Sequence, residues 1–483
     1  MCSYEEKLRE HFSDMIVLKS PKRTEYFRNL SMPSYLRDWL IMKFADFNGD
    51  VHFGDIASYI KQYVPNKDDF ESIKYRLNTG ETVKFLARIS LFNDIATGKT
   101  YFEMPDFGRD AYGIVDEYVV AQYKDDLLKE SECWGIIEIV RDVDYSKKKP
   151  KGIMKLIGYN KFCPYTVDLD FYREARQYFT TEEWLDVLIS AVDYNPSGYE
   201  SSEQKLYFLR RLLTFIERKV NIIELAPKQT GKSYVYEKIS KRGWLVTSGT
   251  ISRASLLYDN NKKKPGLLSC FDYVGFDEIQ SMKFQQPQEI QSALKHYLEF
   301  GEIKGFSGTL VADAGVVVLG NINAGKFNTE ANMVEEIHPI FRESATLDRF
   351  HGFIPGWKIP GIRQDLIADG WALNTEYFAE MLHQFRDEDV SGLLDDCLDI
   401  PSKADKRDLT AIVRLCSAFV KLIFPYATKK DDIPEDEFVK YCLNPAKDMR
   451  TVIKKQLCVV DPREFNVPGK NEIPDIRYKK VQY

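Results

Sequence analysis

The chain has 483 residues, 44% of them hydrophobic and 29% charged, with a formal net charge of −6, eight cysteines and six histidines. These values are ordinary for a soluble protein of two or three domains, and the scattered cysteines and histidines form neither a CxxC pair nor a zinc-binding cluster. The charged segment Met1 to Arg9 has no apolar signal core, and no run approaches the roughly 18 to 20 apolar residues that span a bilayer, so we expect a cytoplasmic protein with no membrane partner.

Residues 1–78 are predicted to form an N-terminal helical region. Apolar side chains recur at helical spacing from Tyr35 to Phe47 and from Phe53 to Tyr63. The period then changes to alternation, with strands predicted at 83–89, 99–104, 135–140 and 152–158 and one helix near 117–129. We therefore expect an OB-like β-barrel region over residues 79–178, with a generic antiparallel sheet as the alternative.

Residues 179–375 alternate between predicted helices and strands. A helix from Glu203 to Arg218 precedes the first strand, and strands are predicted at 221–225, 243–248, 271–276, 315–320 and 351–355. This alternation is typical of a mostly parallel sheet covered by helices. Residues 376–483 return to helical spacing and are predicted to form a C-terminal helical lid and tail.

The strongest motif follows the first of these strands and precedes a predicted helix at 234–240. Its residues are Ala226, Pro227, Lys228, Gln229, Thr230, Gly231, Lys232 and Ser233. This is the Walker A or P-loop pattern, in which backbone N–H groups cradle phosphates, the lysine reaches the β- and γ-phosphates, and the serine hydroxyl binds Mg²⁺. We therefore predict ATP and Mg²⁺ as ligands. Ala226 replaces the usual first glycine, which is tolerable unless φ is positive there.

An acidic pair ends the predicted strand 271–276, as in a Walker B motif. Asp277 is expected to hold Mg²⁺ through water, and Glu278 to polarise the attacking water as general base. The strand 315–320 is followed by Asn321. Because parallel strands end at one edge of a sheet, Asn321 is expected beside the P-loop, where it would orient the same water. Asn323 is the alternative for this role, and simple capping of the strand is the structural explanation.

Arg349 lies just before the last predicted strand and is predicted to be an arginine finger for a neighbouring subunit. Arg342 is the alternative, and a surface salt bridge is the structural explanation. Together these motifs predict an α/β AAA+ P-loop ATPase core with a mostly parallel sheet, an N-terminal helical plus OB-like β-barrel region, and a C-terminal helical lid. Such a chain would be active as a homo-oligomer.

Several motifs resemble those of a known family over nearly the whole chain. They are Phe179-Thr180-Thr181-Glu182-Glu183-Trp184, Thr230-Gly231-Lys232-Ser233, Phe276-Asp277-Glu278, Gly320-Asn321-Ile322-Asn323, and Asp348-Arg349-Phe350-His351 through Ile354-Pro355-Gly356-Trp357. This combination resembles the Lon-like proteins of BREX phage-defence systems, the BrxL family. The resemblance implies anti-phage defence with other BREX proteins as partners. The family's C-terminal Lon-like protease domain would not fit in residues 459–483, so we expect no peptidase activity.

The BrxL ATPase core is in turn similar to that of the MCM replicative helicases. Residues Arg407 to Leu415 resemble the MCM lid helix, and its sensor-2 arginine falls on Arg407. Residues 301–308 stand where MCM proteins have a pore hairpin. The resemblance implies a hexameric or heptameric ring, single or double, that encircles double-stranded DNA.

Basic segments supply the candidate DNA contacts. Residues 302–312 alternate around turn-forming glycines and predict a hairpin with Lys304 near its tip. A predicted barrel loop and an insertion after the P-loop add further lysines, namely Lys147, Lys148, Lys149, Lys151 and Lys263. Such side chains bind phosphates without reading sequence, and a solvated loop is the alternative for each.

Two functions remain open on this basis. A DNA-encircling motor or clamp is favoured by the barrel, the basic segments and the MCM-like lid, although the acidic net charge argues weakly against it. An ATP-dependent protein remodeller is the alternative, and a hydrophobic pore loop would favour it. Lys304 beside Phe306 is compatible with both. Intact Lys232, Asp277 and Glu278 argue against a non-catalytic scaffold.

Overall fold

The computed structural model describes residues 3–28, 32–46, 49–65, 67–95, 97–108, 111–127, 133–144, 150–161, 167–260, 264–305, 308–323, 327–328 and 331–480. Lys147, Lys148, Lys149, Lys263 and Phe306, which were singled out as candidate pore or DNA residues, lie outside these ranges. Within these ranges no helix combines the length and the apolar character needed to cross a membrane.

Short strands and helices follow one another along the described chain. The strands are β1 (Ile16–Lys19), β2 (Val83–Asp94), β3 (Lys99–Glu103), β4 (Tyr112–Val115), β5 (Cys133–Asp144), β6 (Lys151–Lys161), β7 (Ile222–Ala226), β8 (Gly243–Val246), β9 (Thr250–Ile251), β10 (Tyr258–Asp259), β11 (Lys264–Pro265), β12 (Tyr273–Phe276), β13 (Lys283–Phe284), β14 (Glu302–Gly305), β15 (Gly308–Val311), β16 (Gly315–Asn321), β17 (Gly352–Pro355), β18 (Gly370–Leu373), β19 (Leu398–Asp399) and β20 (Arg477–Tyr478). The α-helices are α1 (Ser3–His11), α2 (Pro21–Arg28), α3 (Ser34–Phe44), α4 (Phe53–Tyr63), α5 (Phe70–Asn78), α6 (Glu117–Leu127), α7 (Leu169–Arg176), α8 (Thr181–Ala191), α9 (Ser202–Leu209), α10 (Leu213–Ile216), α11 (Lys232–Lys238), α12 (Arg253–Leu256), α13 (Pro287–Phe300), α14 (Ser344–Leu347), α15 (Thr375–Phe385), α16 (Ser391–Cys397), α17 (Lys406–Ile423), α18 (Glu435–Phe438), α19 (Asn444–Val460) and α20 (Pro462–Phe465).

The chain divides into two compact units, residues 40–166 and residues 1–39 together with 167–483. Residues 1–39 lie in the same unit as the α/β part, whereas the sequence-based boundaries placed residues 1–78 in one N-terminal region. The unpredicted strand β1 explains the difference, since it pairs antiparallel with β18. A four-residue strand carries too little periodicity to be recognised without its partner.

The smaller unit is built on a closed five-stranded barrel with the order β2-β3-β4-β6-β5. The neighbouring strands are antiparallel except for β4 and β6, which run parallel. Phe85, Phe102, Ile137 and Leu156 are among the apolar side chains of its core. Closure confirms the predicted barrel over the alternative of a generic antiparallel sheet, and α6 lies between β4 and β5.

The larger unit is built on a wholly parallel sheet with the order β17-β7-β16-β12-β8. Its inner strands consist almost entirely of buried residues, as expected where helices cover both faces. All five predicted strands are present, with ends shifted by at most two residues. The predicted helix 203–218 is broken, because a 3₁₀ turn at Arg210–Leu212 separates α9 from α10.

The C-terminal helices belong to the same unit and pack on its sheet. Ile453 and Leu457 of α19 join the core formed by the sheet residues. Gly352 of β17 faces this helix, and an added Cβ would lie 2.7 Å from Met449 Cε. Arg450, which is fully buried, donates to the backbone oxygen of Phe350 at 2.7 Å. The C-terminal helices, which were predicted to form a lid, therefore contact the loop that precedes β17 through a buried hydrogen bond.

Candidate nucleotide site

The predicted P-loop lies between β7 and α11, as the motif requires. Ala226 is the last residue of β7 and has no positive φ, so its methyl group is tolerated. Gln229 and Gly231 have φ angles of 65° and 73°, and a side chain at Gly231 would collide with Tyr194 Oη. The loop thus turns at both residues into the N-terminus of α11, where helix N–H groups favour an anion.

A buried ion pair supports this loop. The side chains of Arg211 and Glu224 are fully buried, with Arg211 Nη2 2.6 Å from Glu224 Oε1. Arg211 Nη1 donates to the backbone oxygen of Thr230 at 2.9 Å. Burial alone would lower the pKa of Arg211, but Glu224 raises it above its ordinary value. The loop is therefore tied to the middle of β7 by a charge-assisted contact.

Lys232 and Asn321 are in direct contact. Lys232 Nζ donates to Asn321 Oδ1 at 2.7 Å, and Asn321 is the last residue of β16, the strand beside β7. Burial lowers the pKa of Lys232, while Glu224 and Asp277 oppose that shift. This geometry brings the predicted lysine and polar residue together and favours Asn321 over Asn323.

The acidic pair follows β12, on the other side of β16. Asp277 is buried, and its Oδ1 accepts from the backbone N–H of Glu278 at 2.8 Å. Glu278 is exposed and has a φ of 45°, in a region that non-glycine residues rarely adopt and that costs roughly 1 to 3 kcal/mol. Gln280 Nε2 donates to the backbone oxygen of Asn321 at 2.7 Å, which ties this turn to β16. Lys232, Asp277, Glu278 and Asn321 therefore meet at the carboxyl edge of three adjacent strands.

Other residues at the loop were not predicted. The backbone N–H of Ile362 donates to the backbone oxygen of Gln229 at 2.6 Å, and its partly exposed side chain lies against Gly231. Tyr194 lies against the same glycine. Both come from segments that are distant in sequence from the P-loop, and neither forms part of a motif.

A buried polar cluster holds α11 from the other side. Tyr234 Oη donates to Asp193 Oδ2 at 2.7 Å, and Asp193 Oδ1 lies 2.8 Å from Lys19 Nζ and 2.5 Å from Arg37 Nη2. Burial alone would raise the pKa of Asp193, but Arg37 and Lys19 hold it below its ordinary value. The cluster ties β1 and α3 to the helix that carries Lys232, which is a second reason why the first residues join this unit.

Arg349 and Arg407 lie at the opposite edge of the sheet from the P-loop. Strands β17 and β7 are parallel, with Gly352 opposite Ile222. Arg349 precedes β17 and therefore lies at the amino edge of the sheet, whereas the P-loop follows β7 at the carboxyl edge. Arg349 Nε lies 2.8 Å and Arg407 Nη2 3.3 Å from the same oxygen, Glu299 Oε2. Held there, neither guanidinium reaches the nucleotide site of its own protomer.

Arg342, the alternative finger, has local contacts. Its Nε donates to the backbone oxygen of Ile337 at 2.8 Å and its Nη2 to that of Glu335 at 3.1 Å. These bonds stabilise the turn in which Arg342 lies. The geometry therefore favours Arg349 for any role at a neighbouring site.

Two hairpins lie side by side in the larger unit. Strands β14 and β15 pair as predicted, with the exposed Lys304 opposite Thr309, and β10 pairs with β11 in the lysine-rich insertion. The ring of Tyr258 packs against Gly305, where an added Cβ would lie 3.2 Å away. Arg253 Nη2 donates to the backbone oxygen of Lys304 at 3.0 Å. The structure thus adds Arg253 to this basic surface, although no sequence signal had singled it out.

Lys151 lies in the smaller unit. It is the first residue of β6, pairs with Asp144 of β5 and is exposed. The other lysines of the predicted loop between these strands are outside the described residues.

Two family models match nearly the whole chain. Residues 154–470 match the family described as Lon-like protease BrxL-like, ATPase domain, and residues 10–141 match BREX system Lon protease-like protein BrxL N-terminal. The chain belongs to the BrxL family. The ATPase domain of BrxL spans the P-loop, the acidic pair and Asn321, and an ATPase domain implies the use of a nucleotide. Most of the barrel falls in the BrxL N-terminal part.

Individual relatives agree with this assignment. The chain is 26% identical over 469 residues to a Lon-like protease BrxL of Escherichia coli O9:H4 (strain HS), covering 95% of this chain and 65% of the relative. It is 25% identical over 457 residues to a Lon-like protease BrxL of Bacillus cereus (strain H3081.97), covering 93% and 66%. It is also 23% identical over 339 residues to the uncharacterized protein ORF426 of Acidianus filamentous virus 1, covering 62% and 77%. The chain therefore spans about two thirds of the length of the two BrxL relatives.

Proposed function

We propose that the chain hydrolyses ATP at the carboxyl edge of the parallel sheet. Lys232 would hold the β- and γ-phosphates, while Asn321 and Glu278 would orient and polarise the attacking water. The observation that carries this proposal is the 2.7 Å contact between Lys232 Nζ and Asn321 Oδ1, which joins two motifs 89 residues apart. A phosphate oxygen can take the place of the amide oxygen on the lysine.

Mg²⁺ fits the oxygen donors at this edge. The Ser233 hydroxyl, in the first turn of α11, and the buried Asp277 carboxylate are hard ligands of the kind this ion prefers. Bound between them, Mg²⁺ would neutralise charge on the phosphates. The backbone turns away from the direction of β12 at Glu278, which has a positive φ, and the residue is exposed. Both features suit a residue that acts on water.

The proposed active form is a homo-oligomeric ring, hexameric or heptameric, single or double. Phosphoryl transfer gains from a cation at the γ-phosphate, and Arg349 and Arg407 lie away from their own P-loop. Their common contact with Glu299 supports one arginine-bearing face on each subunit. In such a ring each nucleotide site is completed by the adjacent subunit.

We propose double-stranded DNA as the ligand of the pore, in cytoplasmic anti-phage defence with other BREX proteins. The adjacency of the two hairpins supports a single basic surface that includes Lys304, Arg253 and, as a prediction, Lys263. Lys151 and its neighbours at 147–149 would add contacts from the barrel. Such a surface binds the DNA backbone with strong salt dependence and little sequence preference.

A protein remodeller is the second candidate, and exposed apolar residues favour it. Val311 of β15 is 72% exposed, Leu310 37% and Phe300 58%. Apolar side chains on a pore hairpin would contact a threaded polypeptide, whereas Lys304 would contact phosphate.

ATP turnover with two kinds of stimulant separates the candidates. The protein is assayed alone, with duplex DNA and with an unfolded protein. Stimulation by duplex DNA that weakens with salt and is lost in Lys304→Ala is expected for the DNA ring. Stimulation by the unfolded protein alone, lost in Val311→Ser, would instead favour the remodeller. Electron microscopy with an ATP analogue and duplex DNA then shows whether a ring forms and what its pore contains.

A further inference from the structure

Glu299 contacts both arginines that the proposed composite site needs. Its Oε2 lies 2.8 Å from Arg349 Nε and 3.3 Å from Arg407 Nη2. The side chains of Glu299 and Arg349 are 29% and 17% exposed, so this pair is better shielded from water than an ordinary surface salt bridge. Glu299 belongs to none of the motifs of the sequence.

The contact gives the Arg349 guanidinium a direction. Nε forms a 2.8 Å ion pair with Glu299 Oε2 without a hydrogen bond, and Nη1 donates to the backbone oxygen of Ala345. Because the guanidinium is planar and rigid, the ion pair and the hydrogen bond together restrict its orientation.

The same arrangement holds Arg407 from two sides. Arg407 Nη1 lies 2.8 Å from Asp348 Oδ2, and Asp348 Oδ1 lies 2.6 Å from Nη2 of the buried Arg450 of α19. Burial alone would raise the pKa of Asp348, but Arg450 and Arg407 hold it below its ordinary value. Asp348 and Glu299 therefore clamp the arginines between the C-terminal helices and α13.

Glu299 also links the arginines to the β14–β15 hairpin. It lies in the last turn of α13, and Gly301 caps that helix with a φ of 72° and leads directly into β14. A side chain at Gly301 would collide with Lys219 and lie 2.8 Å from the backbone oxygen of Ala312. Lys219 Nζ also donates to the backbone oxygen of Phe300 at 3.1 Å. A shift of the β14–β15 hairpin would therefore move Glu299, because the connection at Gly301 is tightly packed.

We propose that Glu299 is a positioning residue that sets the direction of Arg349 and makes it depend on the state of the hairpin. This inference rests on the proposed function, in which Arg349 acts at the nucleotide of a neighbouring subunit. Duplex DNA bound at the hairpin then changes ATP turnover through Glu299. Loss of the carboxylate uncouples the two sites and leaves nucleotide binding unchanged.

The substitution Glu299→Gln keeps the size of the side chain and removes its charge. We expect kcat to fall about tenfold, the KM for ATP to stay the same and stimulation by duplex DNA to disappear, because the P-loop is untouched. Glu174→Gln, at an exposed position on α7, is the matched control and should retain both activities. Full turnover with full DNA stimulation in Glu299→Gln would overturn the proposal.

Mixed oligomers show whether Glu299→Gln impairs only the positioning of Arg349 or the whole subunit. Glu299→Gln subunits keep an intact P-loop, so mixing them with Lys232→Ala subunits should raise turnover above the average of the separate proteins. Mixing them with Arg349→Ala subunits should not, since both supply an impaired arginine.

A reference mixture of Arg349→Ala with Lys232→Ala subunits distinguishes failure of the proposed role of Glu299 from failure of the proposed trans-acting arginine. If the reference mixture recovers turnover and the Glu299→Gln mixture with Lys232→Ala does not, the role of Glu299 is rejected and the trans-acting arginine stands. If neither mixture recovers, the proposed function is rejected and this inference falls with it.

Discussion

At the scale of single residues, the nucleotide site depends on side chains that would not touch the nucleotide. Arg211 and Glu224 are both fully buried, and together they hold the backbone of Thr230 in the P-loop. Removing one partner of such a pair leaves an uncompensated charge inside the protein. The Arg211–Glu224 pair therefore contributes both to the conformation of the P-loop and to the stability of the larger unit.

The substitution Arg211→Ala tests this support. We expect the free energy of unfolding of the larger unit to fall by about 3 to 5 kcal/mol, measured by urea denaturation, because Glu224 is left unpaired. Arg218→Ala is the control, since Arg218 is half exposed in surface pairs with Asp313 and Asp387 and should cost at most about 1 kcal/mol. Equal and small losses in both variants would show that the buried pair is not what holds the loop.

The assignment of the general base is tested by Glu278→Gln. This variant should bind ATP normally and turn it over at least about 100-fold more slowly, because the amide cannot take a proton from water. Lys232→Ala should lose ATP binding itself. Glu237→Gln, at an exposed position on α11, serves as the control. Near-normal single-turnover hydrolysis by Glu278→Gln would refute the assignment.

The sequence predicted the residues of the site that lie in contiguous motifs. Lys232, Asp277, Glu278 and Asn321 could be placed together because parallel strands share one carboxyl edge. Arg211, Tyr194 and Asp193 could not, since each acts through a contact with a distant segment and has no local pattern. Arg349 and Arg407 were identified as candidates, but their common contact with Glu299 required the structure.

At the scale of elements, short strands and hairpins form contacts between segments that are distant in the sequence. The strands of the barrel and of the parallel sheet were predictable because alternation and apolar runs are local signals. Strand β1 was not predictable, because its four residues pair with β18, which is distant in the sequence. The contact between the two hairpins was also beyond sequence reasoning, since it depends on Tyr258 packing on Gly305.

The hairpin surface is tested by the salt dependence of duplex binding. If Lys304 contacts a phosphate, Lys304→Ala should reduce the slope of log affinity against log salt by about 0.9 and weaken binding to all duplex sequences alike. Lys470→Ala is the control, because Lys470 is exposed near the C-terminus, away from the hairpins in the sequence. An unchanged slope in Lys304→Ala would remove the support for DNA at this hairpin.

At the scale of the whole molecule, the two halves of the proposed composite site lie at opposite edges of one sheet. The P-loop, the acidic pair and Asn321 lie at the carboxyl edge, and Arg349 and Arg407 lie at the amino edge. In the proposed ring the two halves meet between subunits. The clamp formed by Glu299 and Asp348 gives this second half a defined geometry within each subunit.

A nucleotide site shared between subunits predicts that ATP turnover recovers when Lys232→Ala and Arg349→Ala proteins are mixed at varied ratios. Each is expected to be nearly inactive alone. At an equal ratio about a quarter of the interfaces would combine an intact lysine with an intact arginine, so turnover should peak there at about a quarter of the wild-type value. Turnover that stays at the level of the separate variants at every ratio, after subunit mixing has been verified, would contradict a site shared between subunits.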